Sequence, residues 1–226
     1  MNTDRIRSYG LGEDVKRIAV EGGSLHVEEQ GSGPVLLLLH GWSLDARMWT
    51  KQFQRLSNIY RVVAPDRRGF GRSTAPPGLG YEIQDILDLM DQLGINRCLL
   101  WGMSQGGRIA QRFAAEHPDL LTGLILQSAP MDGTSPATGR EAIPIQKFKA
   151  CAQAGDLETL RRQWLKHPIM RCDDELVQSL LDSMVGSYDA RDLNLPGDAG
   201  KDCVGLGNID VPVSYTHLTL PTTPYV

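Results

Sequence analysis

Short apolar runs alternate with amphipathic segments through the first 130 residues of the chain. Residues 35–39 are apolar at every position, which predicts a strand buried on both faces, as in a parallel sheet covered by helices. Residues 83–93 instead carry apolar side chains at helical spacing. The predicted strands are residues 17–20, 25–30, 35–39, 60–64, 98–101 and 121–127, and the predicted helices are 48–56, 83–93 and 106–116. This alternation favours an α/β fold with a mostly parallel central sheet flanked by helices.

The pattern changes after residue 131, where three amphipathic helices follow without a strand between them. They are predicted at residues 145–154, 157–165 and 176–184, with Asp156 and Asp173 as N-caps. A strand-like pattern then resumes at residues 209–213, so we expect a helical lid inserted into the α/β chain, with a plain helical extension as the alternative. The apolar side chains of this insert either line a pocket or simply pack together; they are Phe148, Leu160, Trp164, Leu180 and Met184.

The last thirteen residues, 214–226, differ in composition from everything before them. They contain no charged side chain and four threonines, whereas the preceding 213 residues contain seven threonines. The segment resembles translated adapter sequence, and the alternative is a genuine divergent terminus. The predicted organisation is an α/β core at 15–132, a helical lid at 133–205, the start of a returning core strand at 206–213 and a non-native tail at 214–226.

Charge and cysteine content narrow the classes of function. The 226 residues carry 23 Lys and Arg against 27 Asp and Glu, a net charge of −4, so nucleic acid is not an expected partner. The longest aliphatic run, 35–39, is far too short to span a membrane, and no secretory signal is visible. Four scattered cysteines, without a CxxC pair or a histidine at ligand spacing, predict reduced thiols in the cytoplasm and no metal site: Cys98, Cys151, Cys172 and Cys203.

The sharpest chemical feature is Gly102-Met-Ser-Gln-Gly106, between a predicted strand and a predicted helix. Nucleophilic catalysis by serine needs its hydroxyl on a tight strand-to-helix turn, with small residues where strand and helix pass closely. The G-x-S-x-G pattern alone is weak, but its position after an apolar strand and before a helix supports Ser104 as a nucleophile. The alternative is an inert small residue at a turn.

A second feature, His40-Gly41-Trp42, follows the buried strand 35–39 directly. An acyl-transfer enzyme needs backbone N–H donors for the oxyanion at such a position. The expected donors are the N–H groups of Trp42 and Gln105, and the alternative is a simple strand-to-loop turn.

Together with Asp66-Arg-Arg-Gly-Phe-Gly-Arg-Ser73, these motifs resemble the α/β-hydrolase fold superfamily, in its esterase, lactonase and cofactor-free haloperoxidase-like branch. The resemblance covers residues 15–130 well and the predicted lid loosely. It implies Ser104 as nucleophile and the Trp42 and Gln105 N–H groups as oxyanion donors, without a cofactor. In such proteins the loop 66–73 is mostly structural, so Arg67, Arg68 and Arg72 are expected to be solvated or to brace the loop.

The resemblance also implies an acid and a histidine after the nucleophile, in that order. Asp132 and His217 obey the order, but no frame to hold His217 is evident. Of the other histidines, His26 lies in the first hairpin and His40 contributes backbone geometry. His117 closes a helix, and His167 lies in the predicted lid. In similar proteins the acid and the histidine follow the strand predicted at 209–213, so we expect the chain to lack them, together with the last strands and helix of the fold.

Three functional hypotheses follow. The first is a serine hydrolase of small carboxylic esters or lactones, working through an acyl-enzyme. The second is cofactor-free perhydrolysis, scored as haloperoxidase activity, by the same serine. The third is a non-catalytic binding protein or an inactive fragment of a hydrolase. Dehalogenases and epoxide hydrolases are disfavoured because those relatives use an aspartate where Ser104 stands. The sequence does not indicate the oligomeric state.

Overall fold

The computed structural model describes residues 15–129, 142–195 and 209–216. Within them, seven strands form one sheet in the order β1-β2-β4-β3-β5-β6-β7. The strands are β1 (Val15–Val20), β2 (Gly23–Gln30), β3 (Val35–Leu39), β4 (Arg61–Pro65), β5 (Cys98–Met103), β6 (Leu121–Gln127) and β7 (Val213–Thr216). β2 pairs antiparallel with β1 and β4, and all other neighbours are parallel. The predicted mostly parallel α/β sheet is confirmed.

Helices connect the parallel strands and continue after β6. The α-helices in the described residues are α1 (Thr50–Leu56), α2 (Glu82–Gln92), α3 (Gln105–Glu116), α4 (Ile145–Gln153), α5 (Leu157–Leu165) and α6 (Glu175–Ser187). Short 3₁₀ helices occur at Ala46–Trp49, Leu79–Tyr81, Pro118–Leu120, Pro168–Met170 and Arg191–Asn194. No described helix combines the length and the apolar character needed to cross a bilayer.

The central strand β3 is buried on both faces, as its unbroken apolar sequence predicts. Leu37 and Leu39 join a core cluster with side chains from α2 and α3, such as Leu89. Leu36 and Leu38 join a second cluster on the other face, around Trp49 and Phe53. All four leucines are at most 1% exposed. Because β3 lies between β4 and β5, its carboxyl end is fixed in the middle of the sheet.

The returning strand differs from its predicted position. The sequence pattern places it at 209–213, whereas β7 spans Val213–Thr216 and pairs with Leu124–Gln127 of β6. The Pro212 carbonyl accepts the Leu124 N–H (2.9 Å), but Pro212 has no N–H of its own to donate, so the strand begins only after it. Three residues of the segment interpreted as a non-native tail, 214–216, therefore belong to the sheet. The interpretation of the tail itself stays a prediction.

The three predicted helices of the insert are present as α4, α5 and α6. Asp156 caps α5 by accepting the Thr159 N–H, as expected. The cap of α6 was wrongly predicted by one residue. Asp174, rather than Asp173, accepts the N–H groups of Leu176 and Val177, because α6 begins at Glu175 and its preceding residue has extended dihedral angles.

Two of the predicted chain divisions, 132/133 and 205/206, fall outside the described residues. Segments 130–141, 196–208 and 217–226 are not described, and they contain the predicted core–lid boundaries, Asp132 and His217. The domain boundaries and the lid role of the helices stay predictions.

Candidate active site

Ser104 lies at the carboxyl end of β5, on the turn that leads into α3. Its backbone has φ +51° and ψ −115°, a conformation that residues other than glycine rarely adopt. The turn is held by the Ser104 N–H, which donates to the Gln127 carbonyl (2.9 Å), and by the Ser104 carbonyl, which accepts from the Arg108 N–H (3.1 Å). The Ser104 side chain is half-buried and has no hydrogen-bond partner among the described residues. The hydroxyl is thus presented on a strained turn, and it donates to no other described residue.

The glycines around Ser104 are required by close backbone contacts. A Cβ on Gly102 would lie 2.4 Å from the Gly106 carbonyl oxygen. A Cβ on Gly106 would lie 2.4 Å from the Leu39 carbonyl oxygen and 2.5 Å from that of His40. The ends of β3 and β5 and the start of α3 therefore meet backbone to backbone, which brings the loop after β3 next to the serine turn.

Two peptide N–H groups at this junction are available as donors. The Gly41 carbonyl accepts from His40 Nδ1 (2.8 Å) and from Arg67 Nη2 (3.4 Å). Because the Gly41–Trp42 peptide is trans, the Trp42 N–H points away from that carbonyl and its partners. The Gln105 N–H belongs to the first residue of α3, where no helical acceptor exists. Neither N–H has an acceptor within the part of the chain that the structure describes.

The side chain of His40 has a role beyond the backbone geometry that was predicted for it. Its Nε2 accepts the Arg67 backbone N–H (2.9 Å) while Nδ1 faces the Gly41 carbonyl, so Nδ1 carries the proton. Burial lowers the pKa of the His40 imidazole to about 3, and the Arg67 charge acts in the same direction. His40 is therefore a neutral bridge between two loops, and both of its nitrogens are occupied.

The other described histidines do not contact Ser104. His26 Nε2 lies 2.9 Å from Glu28 Oε1 in the β1–β2 hairpin. His117 follows the carboxyl end of α3, about 18 Å along the helix from the serine turn. His167 Nδ1 accepts the Ile169 N–H beside α5. His217 lies outside the described residues, as does Asp132.

The loop 66–73 is braced by buried charges. Arg67 and Arg68 are each 2% exposed, so the expectation that they are solvated is wrong and the loop-bracing alternative holds. A guanidinium loses its hydration when buried, and each arginine recovers contacts from one acid on α2: Arg67 pairs with Glu82 (2.8 Å) and Arg68 with Asp85 (2.6 Å). Arg72 is exposed and pairs with Glu28 and the buried Asp66.

Glu82 experiences two opposing influences. Burial raises the pKa of its carboxyl to about 7, while the Arg67 guanidinium acts to lower it and Asp85 acts to raise it. Burial thus favours the neutral carboxylic acid of Glu82, whereas the buried ion pair with Arg67 favours its carboxylate.

An aromatic cluster from the helical insert covers the Trp42 side chain. The Trp42 ring lies 5.0 Å from that of Trp164, 5.6 Å from Tyr188 and 6.1 Å from Phe148, centroid to centroid. The other apolar side chains singled out in the sequence pack in the same cluster. Phe148, Leu160, Trp164 and Met184 are at most 3% exposed, which supports the packing interpretation for these four, and Leu180 is half-buried against them.

Asp192 joins this cluster to the loop after β3. Its carboxylate accepts from Trp42 Nε1 (2.8 Å) and from the Tyr188 hydroxyl (2.5 Å). Burial and the Asp192 charge raise the pKa of Tyr188 above its usual range, so the phenol stays protonated and donates. The sequence pattern did not single out Tyr188 or Asp192, because their partners are distant in the chain.

Among the described residues, no group of three or more His, Cys, Asp or Glu side chains could hold a metal ion.

The comparisons with known proteins agree with this architecture. A family described as alpha/beta hydrolase fold matches residues 34–150, so the chain belongs to the α/β-hydrolase fold family. The enol-lactonase from Burkholderia xenovorans LB400 superposes with a TM-score of 0.74, at 24% identity, over 88% of this chain and 80% of its own. The esterase from Exiguobacterium antarcticum gives 0.75, at 24% identity, over 89% and 80%. At these identities, the likeness shows the fold alone.

The relatives found by sequence similarity are named for other reactions than the two structural neighbours above. Epoxide hydrolase 3 of Xenopus tropicalis is 45% identical over 102 residues, which are 43% of this chain and 28% of that protein. Other curated relatives are named as epoxide hydrolases and dehalogenases. The matched segments span only 28% to 40% of the first four of these relatives.

Proposed function

We propose that the protein is a serine hydrolase that cleaves small carboxylic esters or lactones through an acyl-enzyme on Ser104. The observation that carries the proposal is the turn itself. An uncommitted serine hydroxyl lies on a strained strand-to-helix turn beside two peptide N–H groups that have no acceptor among the described residues. This combination suits attack on a carbonyl, in which negative charge develops on oxygen beside the nucleophile.

The reaction would proceed in two balanced steps. In the first, Ser104 Oγ bonds to the carbonyl carbon and its proton passes to a base, while the Trp42 and Gln105 N–H groups donate to the oxyanion. The bond to the alcohol oxygen then breaks, and the alcohol leaves with that proton. In the second, water attacks the acyl carbon with the same base assisting, and Ser104 recovers its proton as the acid is released.

The base must come from outside the described residues. None of the four described histidines contacts Ser104, and both ring nitrogens of His40 are already occupied. Within this sequence His217 is the remaining histidine, with Asp132 as the acid that fits the family order.

The names of the sequence relatives suggest epoxide opening or dehalogenation, and Ser104 argues against both. In those reactions a nucleophile attacks a saturated carbon. A carboxylate forms an ester there, which water can hydrolyse at its carbonyl. A serine would form an ether, which has no carbonyl for water to attack, and turnover would stop after one event. The serine hydroxyl therefore favours acyl transfer. Perhydrolysis by the same serine stays an alternative prediction that no described contact favours.

Active-site labelling tests the proposal. A fluorophosphonate probe should modify the full-length protein, and Ser104→Ala should abolish the modification. Ser128→Ala is the matched control, because Ser128 also has positive φ (+49°) and directly follows the neighbouring parallel strand β6. That variant should label like the wild type.

Equal labelling of wild type and Ser104→Ala, or none of the wild type, would overturn the proposal. The second result would favour the non-catalytic alternative.

A further inference from the structure

Arg67 connects the two loops that carry the proposed oxyanion donors. From its buried position, its Nε donates to the His40 carbonyl (3.0 Å) and its Nη2 to the Gln105 side-chain carbonyl (2.7 Å). Resting on the proposed role of Ser104, we propose that Arg67 is a positioning residue that fixes the Trp42 and Gln105 N–H groups toward the oxyanion.

Arg67 holds the loop that follows β3 through its side chain and its backbone. Arg67 Nε binds the His40 carbonyl and its Nη2 approaches that of Gly41 (3.4 Å), while its backbone N–H binds His40 Nε2. The guanidinium and the imidazole thus hold the acceptor side of two successive peptides. Since a trans peptide sends its N–H opposite its carbonyl, fixing the Gly41 carbonyl fixes the direction of the Trp42 N–H.

Arg67 also holds the start of α3, through the side chain of Gln105. Gln105 directly follows Ser104, and its side-chain oxygen is held by the same Arg67 Nη2 at 2.7 Å. A side chain tethered at the first helical residue restrains the backbone of that residue, which carries the second donor. One guanidinium therefore ties both donor peptides to a common point.

Arg67 is itself held in place by an ion pair with Glu82 of α2. Its Nη1 donates to Glu82 Oε1 at 2.8 Å, and the two side chains are 2% and 6% exposed. A buried ion pair holds a guanidinium in one orientation when its other nitrogens also donate, as Nε and Nη2 of Arg67 do. Lysine has no planar fork, so a lysine at this position would satisfy one or two of these acceptors and release the others.

Arg68 provides a matched comparison inside the same motif. It is equally buried and pairs with Asp85, one helical turn along α2 from Glu82. It also donates to the carbonyls of Pro76 (3.1 Å) and Glu21 (3.2 Å), and none of its hydrogen bonds to described residues reaches the loop after β3 or Gln105. Arg68 thus shares the packing role of Arg67 without the link to the donor peptides.

The experiment compares Arg67→Lys with Arg68→Lys in the full-length protein, using 4-nitrophenyl acetate hydrolysis and thermal unfolding. We expect Arg67→Lys to lower kcat by about 10- to 100-fold, on the scale of weakening one oxyanion contact, with KM changed less than about threefold. Arg68→Lys should lower Tm to a similar extent while keeping kcat within about twofold of the wild type.

Gln105→Met supplies a second route should Arg67→Lys fail to fold. It removes the oxygen that Arg67 binds and keeps the length of the side chain, and should lower kcat with little change in Tm. The double variant should lose no more kcat than Arg67→Lys alone, because Gln105→Met removes only one of the contacts that Arg67→Lys weakens.

Equal loss of kcat in the two lysine variants, or wild-type kcat in Gln105→Met, would overturn the role of Arg67. Failure of the wild type to be modified at Ser104 would instead contradict the proposed function, so the two failures are distinguishable.

Discussion

Three backbone segments meet at Ser104 so closely that single atoms decide what each position tolerates. Gly106 is the clearest case, because a Cβ there would touch the carbonyl oxygens of Leu39 and His40, which belong to backbone that cannot rotate away. Motif reading alone leads to the same glycines, since the G-x-S-x-G spacing reflects this contact. The strained backbone of Ser104 and the need for glycine at position 106 thus both follow from the close approach of β3, β5 and α3.

We expect Gly106→Ala to lower the free energy of unfolding by about 3 kcal/mol or more, because the backbone must shift to admit the methyl group. Gly186→Ala is the control. Gly186 is exposed in α6 with open space around its Cα, so alanine should stabilise the helix by up to about 1 kcal/mol. Urea unfolding of both variants measures the difference, and a neutral Gly106→Ala would contradict the described contact.

Two buried groups beside Arg67 titrate with opposite consequences for stability. His40 has a folded pKa of about 3 against 6.5 unfolded, so its contribution to stability is present above pH 6.5 and is lost as pH falls toward 3. Glu82 has a folded pKa of about 7 against 4.5 unfolded, so it costs stability increasingly as pH rises from 4.5 to 7. The charged groups facing Glu82 are Arg67, Arg68 and Asp85.

Because these effects oppose each other between about pH 4.5 and 6.5, we expect the wild type to change little in stability there. Glu82→Gln removes one of them, so its free energy of unfolding should fall more steeply than that of the wild type between pH 7 and pH 5. Urea unfolding at the two pH values measures the difference. A shallower loss in Glu82→Gln would contradict the described environments of both groups.

At the scale of elements, the helical insert is attached to the loop after β3 by hydrogen bonds as well as aromatic packing. Asp192, in the 3₁₀ helix Arg191–Asn194, accepts from Trp42 and Tyr188. Trp164 Nε1 donates to Ser43 Oγ (2.6 Å) from α5. Through Trp42, the insert is thus connected to one of the two peptides proposed to bind the oxyanion.

We expect Asp192→Ala to lower the free energy of unfolding by about 1–3 kcal/mol, because it leaves two enclosed donors without acceptors. Asp189→Ala is the control, since Asp189 is paired with Arg191 at the surface and such a pair contributes at most about 1 kcal/mol. Denaturant unfolding compares the two. Equal effects would show that the Asp192 contacts do not support the attachment of the insert.

Element type was predictable where the local pattern was strong, and the exact limits depended on neighbours. The unbroken apolar run of β3 predicts burial on both faces, and the structure confirms it. The position of β7 depends on how Pro212 pairs with β6, which no local pattern encodes. The cap of α6 was displaced by one residue because two adjacent aspartates offer equivalent side chains.

At the scale of the molecule, the order of strands places the chemistry. The carboxyl ends of β3 and β5 are neighbours in the sheet, which brings residues 40–42 beside Ser104 although about 60 residues separate them in sequence. The serine and the donor loop were predictable because their motifs are local. The Arg67–Gln105 and Trp42–Asp192 contacts were not, because each joins residues that only the folded topology brings together.

In the proposed reaction, Ser104 carries the acyl group during turnover. The most direct test is to mix the full-length protein with excess 4-nitrophenyl acetate, quench in acid within the first turnover and map acetylated peptides by mass spectrometry. We expect one acetyl group on the peptide that contains Ser104, and none on that peptide in Ser104→Ala. Ester hydrolysis that proceeds with Ser104 unmodified, or at the same rate in Ser104→Ala, would contradict it.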